Sequence, residues 1–208
     1  MNNMTYSNAI VSEQLADLAE IYQESVNVCV VKRTVSKPLQ QFIDSVLADS
    51  IAVNVVQHFS IDQFEFTDLI PKLSTWAGYQ DFCQDIQHLA RLFGELFELE
   101  QIGLRLATLD KAMCPKFHVD AVPCRLVSTY GGLGTEWLNN RDVDRSKLGQ
   151  FAHQAVLNEH AIETMPAFAI GLLKGSGWEG NELNGAVHRS PSLNATAPRR
   201  LLLTLDFG

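Results

Sequence analysis

Helical periodicity through the first hundred residues, then short β-like runs broken by Pro, Gly and Asn, predict an α+β chain. The spacing of the later runs suits a double-stranded β-helix (jelly roll, cupin-like) braced by N-terminal helices. No linker separates the two textures. Residues 1–208 are therefore read as a single domain, mostly helical over 1–100, with a β-helix core over 101–208.

Ile10, Leu15, Leu18, Ala19 and Tyr22 recur at helical spacing, and Leu39, Phe42, Ile43, Val46 and Leu47 repeat the pattern after Pro38. Between them Val26 to Val31 is β-branched and suits a short strand, because such side chains pack well on a pleated surface. A longer helix follows the Pro71 region. Its apolar stripe, from Trp76 through Phe82, Ile86, Leu89 and Phe93 to Phe97, is read as core, with a homodimer surface as its other use. The strands expected beyond residue 102 are Gly103 to Ala107, Lys116 to Val119, Arg125 to Tyr130, Ala167 to Leu173, Ala186 to Ser190 and Arg200 to Phe207. The polar stretch Asn139 to Glu163 reads as an inserted loop with a short helix, its His153 and His160 as surface residues. Gly175 to Trp178 lacks the strand-to-helix setting of a phosphate cradle and reads as a turn between strands.

Composition narrows the function. A net charge of −8 disfavours nucleic acid as a constitutive partner, by simple repulsion. No apolar run approaches the ~20 residues that span a bilayer, and the first residues, MNNMTYSN, lack the pattern of a secretory signal. No membrane partner and a cytoplasmic location are expected. The four cysteines are too scattered for a disulfide framework and read as buried thiols. No Gly-x-Ser-x-Gly elbow occurs, and Ser128 has no base partner in sequence, which argues against a serine hydrolase.

The chemistry concentrates in CPKFHVD, Cys114 to Asp120. Side chains two apart on a strand share a face, so His118 and Asp120 can point together into a barrel while Val119 packs outside. His188, in VHRSP, lies on a later strand that can complete the set. Two neutral imidazoles and a carboxylate on three corners of an octahedron leave the other corners open, which is the facial triad of non-heme ferrous oxygenases. His118, Asp120 and His188 are thus the expected metal ligands and catalytic centre. A plainer reading makes His118 a strand-end residue and Asp120 the start of a turn. Cys114 and Cys124 bracket the motif and offer zinc as an alternative metal, because thiolate and imidazole suit that ion. At the mouth of the last strand stand Arg199 and Arg200. A guanidinium there presents paired planar donors that match the distal carboxylate of a small diacid cosubstrate. Parity divides the two candidates: Arg200, Leu202, Thr204 and Asp206 share one face, Arg199 and Leu201 the other.

From Gly103 to Phe207 the order of motifs resembles the iron- and 2-oxoglutarate-dependent dioxygenase superfamily. There an arginine commonly opens a strand of the form Arg-x-x-x-Thr, which RLLLTLD, Arg200 to Asp206, resembles; this implies that Arg200, with Thr204, binds the cosubstrate, and favours it over Arg199. GGLGTEW, Gly131 to Trp137, is similar to the superfamily's turn after the His-x-Asp strand, and the resemblance implies that Tyr130 supplies a hydroxyl to the cosubstrate. Across the whole chain, CPKFHVD, RLVSTYGGLGTEWL, LLKGSGWEG, AVHRSP and RRLLLTLDFG resemble the bacterial family catalogued as domain of unknown function 1826. That family carries no established reaction, and its members are sometimes linked by genomic setting to zinc homeostasis. The resemblance implies Fe(II) and 2-oxoglutarate as cofactors of a dioxygenase whose primary substrate is unknown. The alternative is a non-catalytic divalent-metal (zinc) binding protein of the same fold, involved in metal homeostasis.

Overall fold

A computed structural model describes residues 8–150 and 154–208 as a mixed α+β structure with one sheet of seven strands and another of three. The large sheet runs in the order β1-β2-β8-β5-β10-β4-β3, formed by β1 (Ala9–Ser12), β2 (Val28–Val31), β3 (Asn54–Ser60), β4 (Gln101–Leu109), β5 (Cys124–Gly131), β8 (Ile170–Lys174) and β10 (Arg200–Phe207). The small sheet, β7-β6-β9, holds β6 (Glu136–Leu138), β7 (Glu163–Thr164) and β9 (Val187–Arg189). Only β1 and β2 pair in parallel among the described strands.

Two helices cover one face of the large sheet. Helix α1 (Lys37–Ala48) starts where the Ser36 hydroxyl accepts from the Leu39 amide, with Pro38 in the first turn, where its missing N–H costs nothing. It buries Leu39, Phe42, Ile43 and Val46. Helix α2 (Tyr79–Phe97) buries Phe82, Ile86, Leu89, Ala90 and Phe93. These pack on alternate residues of the central strands, Leu104 and Leu106 of β4, Leu126 of β5, and Leu201, Leu203 and Leu205 of β10. The stripe read as core is core. Trp76 precedes the helix and meets Phe42 edge-on at 6.4 Å.

The other face of the large sheet looks at the small one. Val127 of β5, Leu173 of β8 and Leu202 of β10 pack there against Trp137 of β6, Met165 and Ala186. Behind the small sheet lies a second apolar layer of Phe117, Leu138, Val143 and Val187.

Several expectations need correction. Ile10 to Tyr22 is not one helix: Ala9–Ser12 adds to the sheet edge, where β-branched Ile10 and Val11 fit, and a 3-10 helix covers Leu15–Tyr22. Strand β3 was not foreseen, because NVVQHFS alternates weakly and stays exposed on most positions. Besides the strand read at Val26 to Val31, the first hundred residues thus contribute β1 and β3 alongside their helices. Lys116 to Val119 forms only an isolated bridge, His118 to His188, since Pro115 and Pro123 limit pairing on either side. Asn139 to Glu163 contains 3-10 turns and no α-helix among the described residues, and it covers the outer face of the small sheet with Val143 and Val156. His160 is exposed, as expected of a surface residue, and His153 lies outside the described residues. Among the described residues no helix is long and apolar enough to cross a membrane.

Candidate metal centre

The isolated bridge is where the centre is built. His118 and His188 exchange backbone hydrogen bonds of 3.0 Å each way, which sets the two rings side by side at 4.5 Å between centroids. Each ring turns its Nδ1 to a carbonyl two residues earlier, His118 to Lys116 at 2.9 Å and His188 to Ala186 at 3.0 Å. A carbonyl can only accept, so in the neutral ring Nδ1 carries the hydrogen and Nε2 keeps its lone pair for a cation. Asp120 completes the group. Its Oδ1 lies 3.5 Å from His118 Nε2 and its Oδ2 lies 3.4 Å from His188 Nε2. One ligand atom from each of the three falls within 4.8 Å of the others, an arrangement resembling a facial triad.

Asp120 follows no regular strand, so its position depends on neighbours. The segment read as a simple turn, Gly175 to Trp178, is one of them. The amides of Gly175, Ser176 and Gly177 donate to the carbonyls of Pro123, Asp120 and Val122 at 2.9, 2.9 and 3.2 Å. A Cβ on Gly175 would stand 2.0 Å from the Val122 carbonyl oxygen, so only glycine permits this backbone-on-backbone contact. Trp178 packs away from the centre, 5.4 Å from Tyr22 and 5.9 Å from Phe97, with Lys174 Nζ over its ring at 4.9 Å.

Charge at Asp120 is set by its surroundings. Burial opposes its ionisation, but hydrogen bonds with His118 and His188 and the charge of Arg125 outweigh burial and hold the carboxyl well below the usual range. The hydrogen bond to Asp120 correspondingly raises His118 against an opposing effect of burial. Arg125 Nη1 reaches Asp120 Oδ2 at 2.6 Å, while Nε and Nη2 grip both oxygens of Asp206 at 2.7 and 2.8 Å.

The three ligand candidates line a cavity of about 200 Å³, together with Arg105, Met113, Cys114, Thr135, Leu202 and Thr204. Just behind its wall is Arg200, 1 % exposed. Its Nη2 is 3.1 Å from the hydroxyls of both Thr129 and Thr135, and its buried Nε and Nη1 have no acceptor. Burial lowers Arg200 to about 10, against the opposing charge of Glu136, so it remains cationic at neutral pH. A buried guanidinium with only hydroxyl partners is a costly arrangement, and an incoming carboxylate would relieve it.

Thr204 lines the cavity beside this region, whereas Arg199, on the opposite parity, does not. Tyr130 is not brought there either. Its ring lies on the helical side of the sheet, and its hydroxyl donates to Asp85 Oδ2 at 2.6 Å, in a cluster where Arg33 pairs with Asp85. Even positions of β5 face the helices, so Tyr130 shares its face with Leu126 and Cys124. Cys124 is fully buried there and cannot join Cys114 around an ion, and burial raises its thiol above the usual range. Cys114 does line the cavity, so one thiol stands near the triad. Arg125, Thr129, Thr135 and Asp206 were missed as site residues. The available signal was parity, since Arg125 and Thr129 alternate on β5, and register then sets Arg125 opposite Asp206.

No curated protein matches the chain in sequence. Among solved structures it is similar to a Shewanella oneidensis protein named as a candidate oxygenase, with a TM-score of 0.54 and 12 % identity over 96 % of this chain and 88 % of that one. It is also similar to the dioxygenase for auxin oxidation 1 of Arabidopsis thaliana in its 2-oxoglutarate complex, with a TM-score of 0.53 and 10 % identity over 96 % and 91 % of the two chains. At such identities the likeness establishes the fold alone: the two sheets resemble those of 2-oxoglutarate oxygenases. Residues 12–206 match the family described as Protein of unknown function (DUF1826), and the chain belongs to that family.

Proposed function

We propose that this chain is a non-heme Fe(II)- and 2-oxoglutarate-dependent dioxygenase, built on a double-stranded β-helix (jelly roll, cupin-like) braced by N-terminal helices. The observation that carries the reading is one cavity lined by two imidazole Nε2 atoms and a carboxylate, with a buried arginine short of acceptors just behind its wall. The donor set fits a divalent ion with open positions, and iron with a bound 2-oxoacid supplies the activation of dioxygen there. His118, Asp120 and His188 hold the metal. Arg200 holds the far carboxylate of 2-oxoglutarate through Nε and Nη1, while Thr129 and Thr135 keep its Nη2 engaged. Leu173, Val127 and Leu202 keep that wall dry, which strengthens the charge pairing within it.

A second reading, a zinc-binding protein without turnover, is favoured by one observation: the Cys114 thiol, a soft donor, lines the same cavity. One experiment separates the two. Protein purified without oxygen and loaded with Fe(II) is expected to convert 2-oxoglutarate to succinate in air, and His118→Ala is expected to abolish this. Metal binding without any succinate would favour zinc, and turnover that survives His118→Ala would overturn the dioxygenase reading.

A further inference from the structure

Asp120 is the triad member with the least support from regular structure, yet one of its carboxylate oxygens, Oδ2, is gripped by a residue outside the histidine pair. Arg125, on β5, gives Nη1 to Asp120 Oδ2 at 2.6 Å. Its remaining donors, Nε and Nη2, form a paired contact with both oxygens of Asp206 at 2.7 and 2.8 Å. Asp206 sits directly across the strand pair, since β10 aligns Asp206 with Arg125. A guanidinium held in plane by one carboxylate has no freedom left to choose where its third edge points. That edge points at the metal-binding acid.

We infer that Arg125, oriented by Asp206, is a positioning residue for Asp120: it occupies Oδ2 and presents Oδ1 as a single donor oxygen. This rests on the metal reading above. The consequence is coordinative. An oxygen already bound at 2.6 Å to a cationic donor has less lone-pair density to offer a metal. A carboxylate that binds through one oxygen takes one corner of an octahedron, so three ligands leave three corners free; a chelating carboxylate would take a fourth. Arg125 thereby sets the number of open positions without touching the ion. The role differs from that of Arg200, which has hydroxyl partners only.

The test is Mn(II) affinity of the metal-free full chain, by calorimetry, for the wild type, Arg125→Met, Arg125→Lys, Asp206→Asn and the Arg125→Met/Asp206→Asn double variant, each with its melting temperature. Partners of metal ligands are commonly worth about 10- to 100-fold in affinity, so Arg125→Met is expected to weaken Mn(II) binding by roughly tenfold or more. Arg125→Lys keeps the charge but not the three-way contact, and should fall between it and wild type. Asp206→Asn should weaken binding several-fold, and the double variant should bind no worse than Arg125→Met, because Asp206 acts through Arg125. Sign matters as well as size. Removing a cation near the metal would by itself tighten binding, so tighter or unchanged affinity in a folded Arg125→Met protein overturns the inference, as do fully additive effects. Should Arg125→Met fail to fold, Asp206→Asn and Arg125→Lys decide alone, unchanged affinity in both being fatal. Wild type that binds no Mn(II) overturns the metal reading itself, which variants equal to a binding wild type would not.

Discussion

At the scale of single residues, Arg200 would show, on the proposed function, how a binding role leaves a mark on stability. Its Nε and Nη1 are buried without acceptors, a state that costs folding free energy unless an anion fills it. Arg200→Met is therefore expected to do two opposite things. Without ligand it should melt higher, by about 2–4 °C for each kcal/mol of burial cost removed in a chain of this size. Its affinity for 2-oxoglutarate, measured on Mn(II)-loaded protein by calorimetry, should fall roughly 10- to 150-fold, the worth of charged hydrogen bonds of about 1.5–3 kcal/mol. A variant that melts lower and binds 2-oxoglutarate unchanged would make Arg200 a plain structural residue. Parity alone told which arginine shares a face with Thr204. It could not tell that Tyr130, an aromatic hydroxyl next to the glycine turn, faces Asp85 instead of the cavity, because that depends on where the strand begins.

At the scale of elements, the backbone at Asp120 is irregular and held down by one glycine-bearing turn, and a second such turn lies against Arg199 and Arg200. Gly132, with φ of 82°, carries the chain from β5 toward β6 against the Arg199 carbonyl, where a Cβ would stand at 2.2 Å. Gly175 lies under the Asp120 turn in the same close manner. Gly175→Ala should force that turn to move, costing about 1–3 kcal/mol of stability and weakening Mn(II) binding together. Ser176→Ala, which loses only a 3.3 Å contact with the Asp120 carbonyl, should leave both near wild type. Thermal melts and metal titration check the pair, and an unshifted Gly175→Ala would show that the turn does not govern Asp120. These contacts were illegible in sequence for a definite reason. The segments 120–123 and 175–177 are more than fifty residues apart, and nothing in a Gly-Ser-Gly run says which backbone it will lie against. By contrast the β10 strand was legible over its full length, since Leu201, Leu203 and Leu205 alternate cleanly with Thr204 and Asp206.

For the whole molecule, the proposed metal site would couple stability to metal loading through the proton at His118. Hydrogen bonding to Asp120, against opposing burial, raises this histidine above its ordinary 6.5, so its contribution to metal-free stability is fully present below 6.5 and is lost as pH rises through the raised value. Asp120 is lowered from 3.8, so its contribution is present above 3.8 and lost as pH falls through the lowered value. Metal-free protein should accordingly lose part of its stability as pH rises from 6.5 through the raised value of His118. Over that same interval the rise in melting temperature on adding Mn(II) should grow, because a cation needs the neutral imidazole. Scanning calorimetry with and without Mn(II) across a pH series upward from 6.5 checks the crossing, and a metal-induced rise independent of pH would contradict it.

The strand order has one more implication. Both outermost strands of the large sheet, β1 and β3, come from the half of the chain before the metal motif, while the middle is laid down largely by the half after it. The early residues thus act as bookends, sealing the lateral hydrogen-bonding rims that a free-standing later half would offer to its neighbours. A fragment cut from residue 101 onward would carry every residue of the candidate centre, yet it would be a sticky slab with two raw borders and an uncovered oily back.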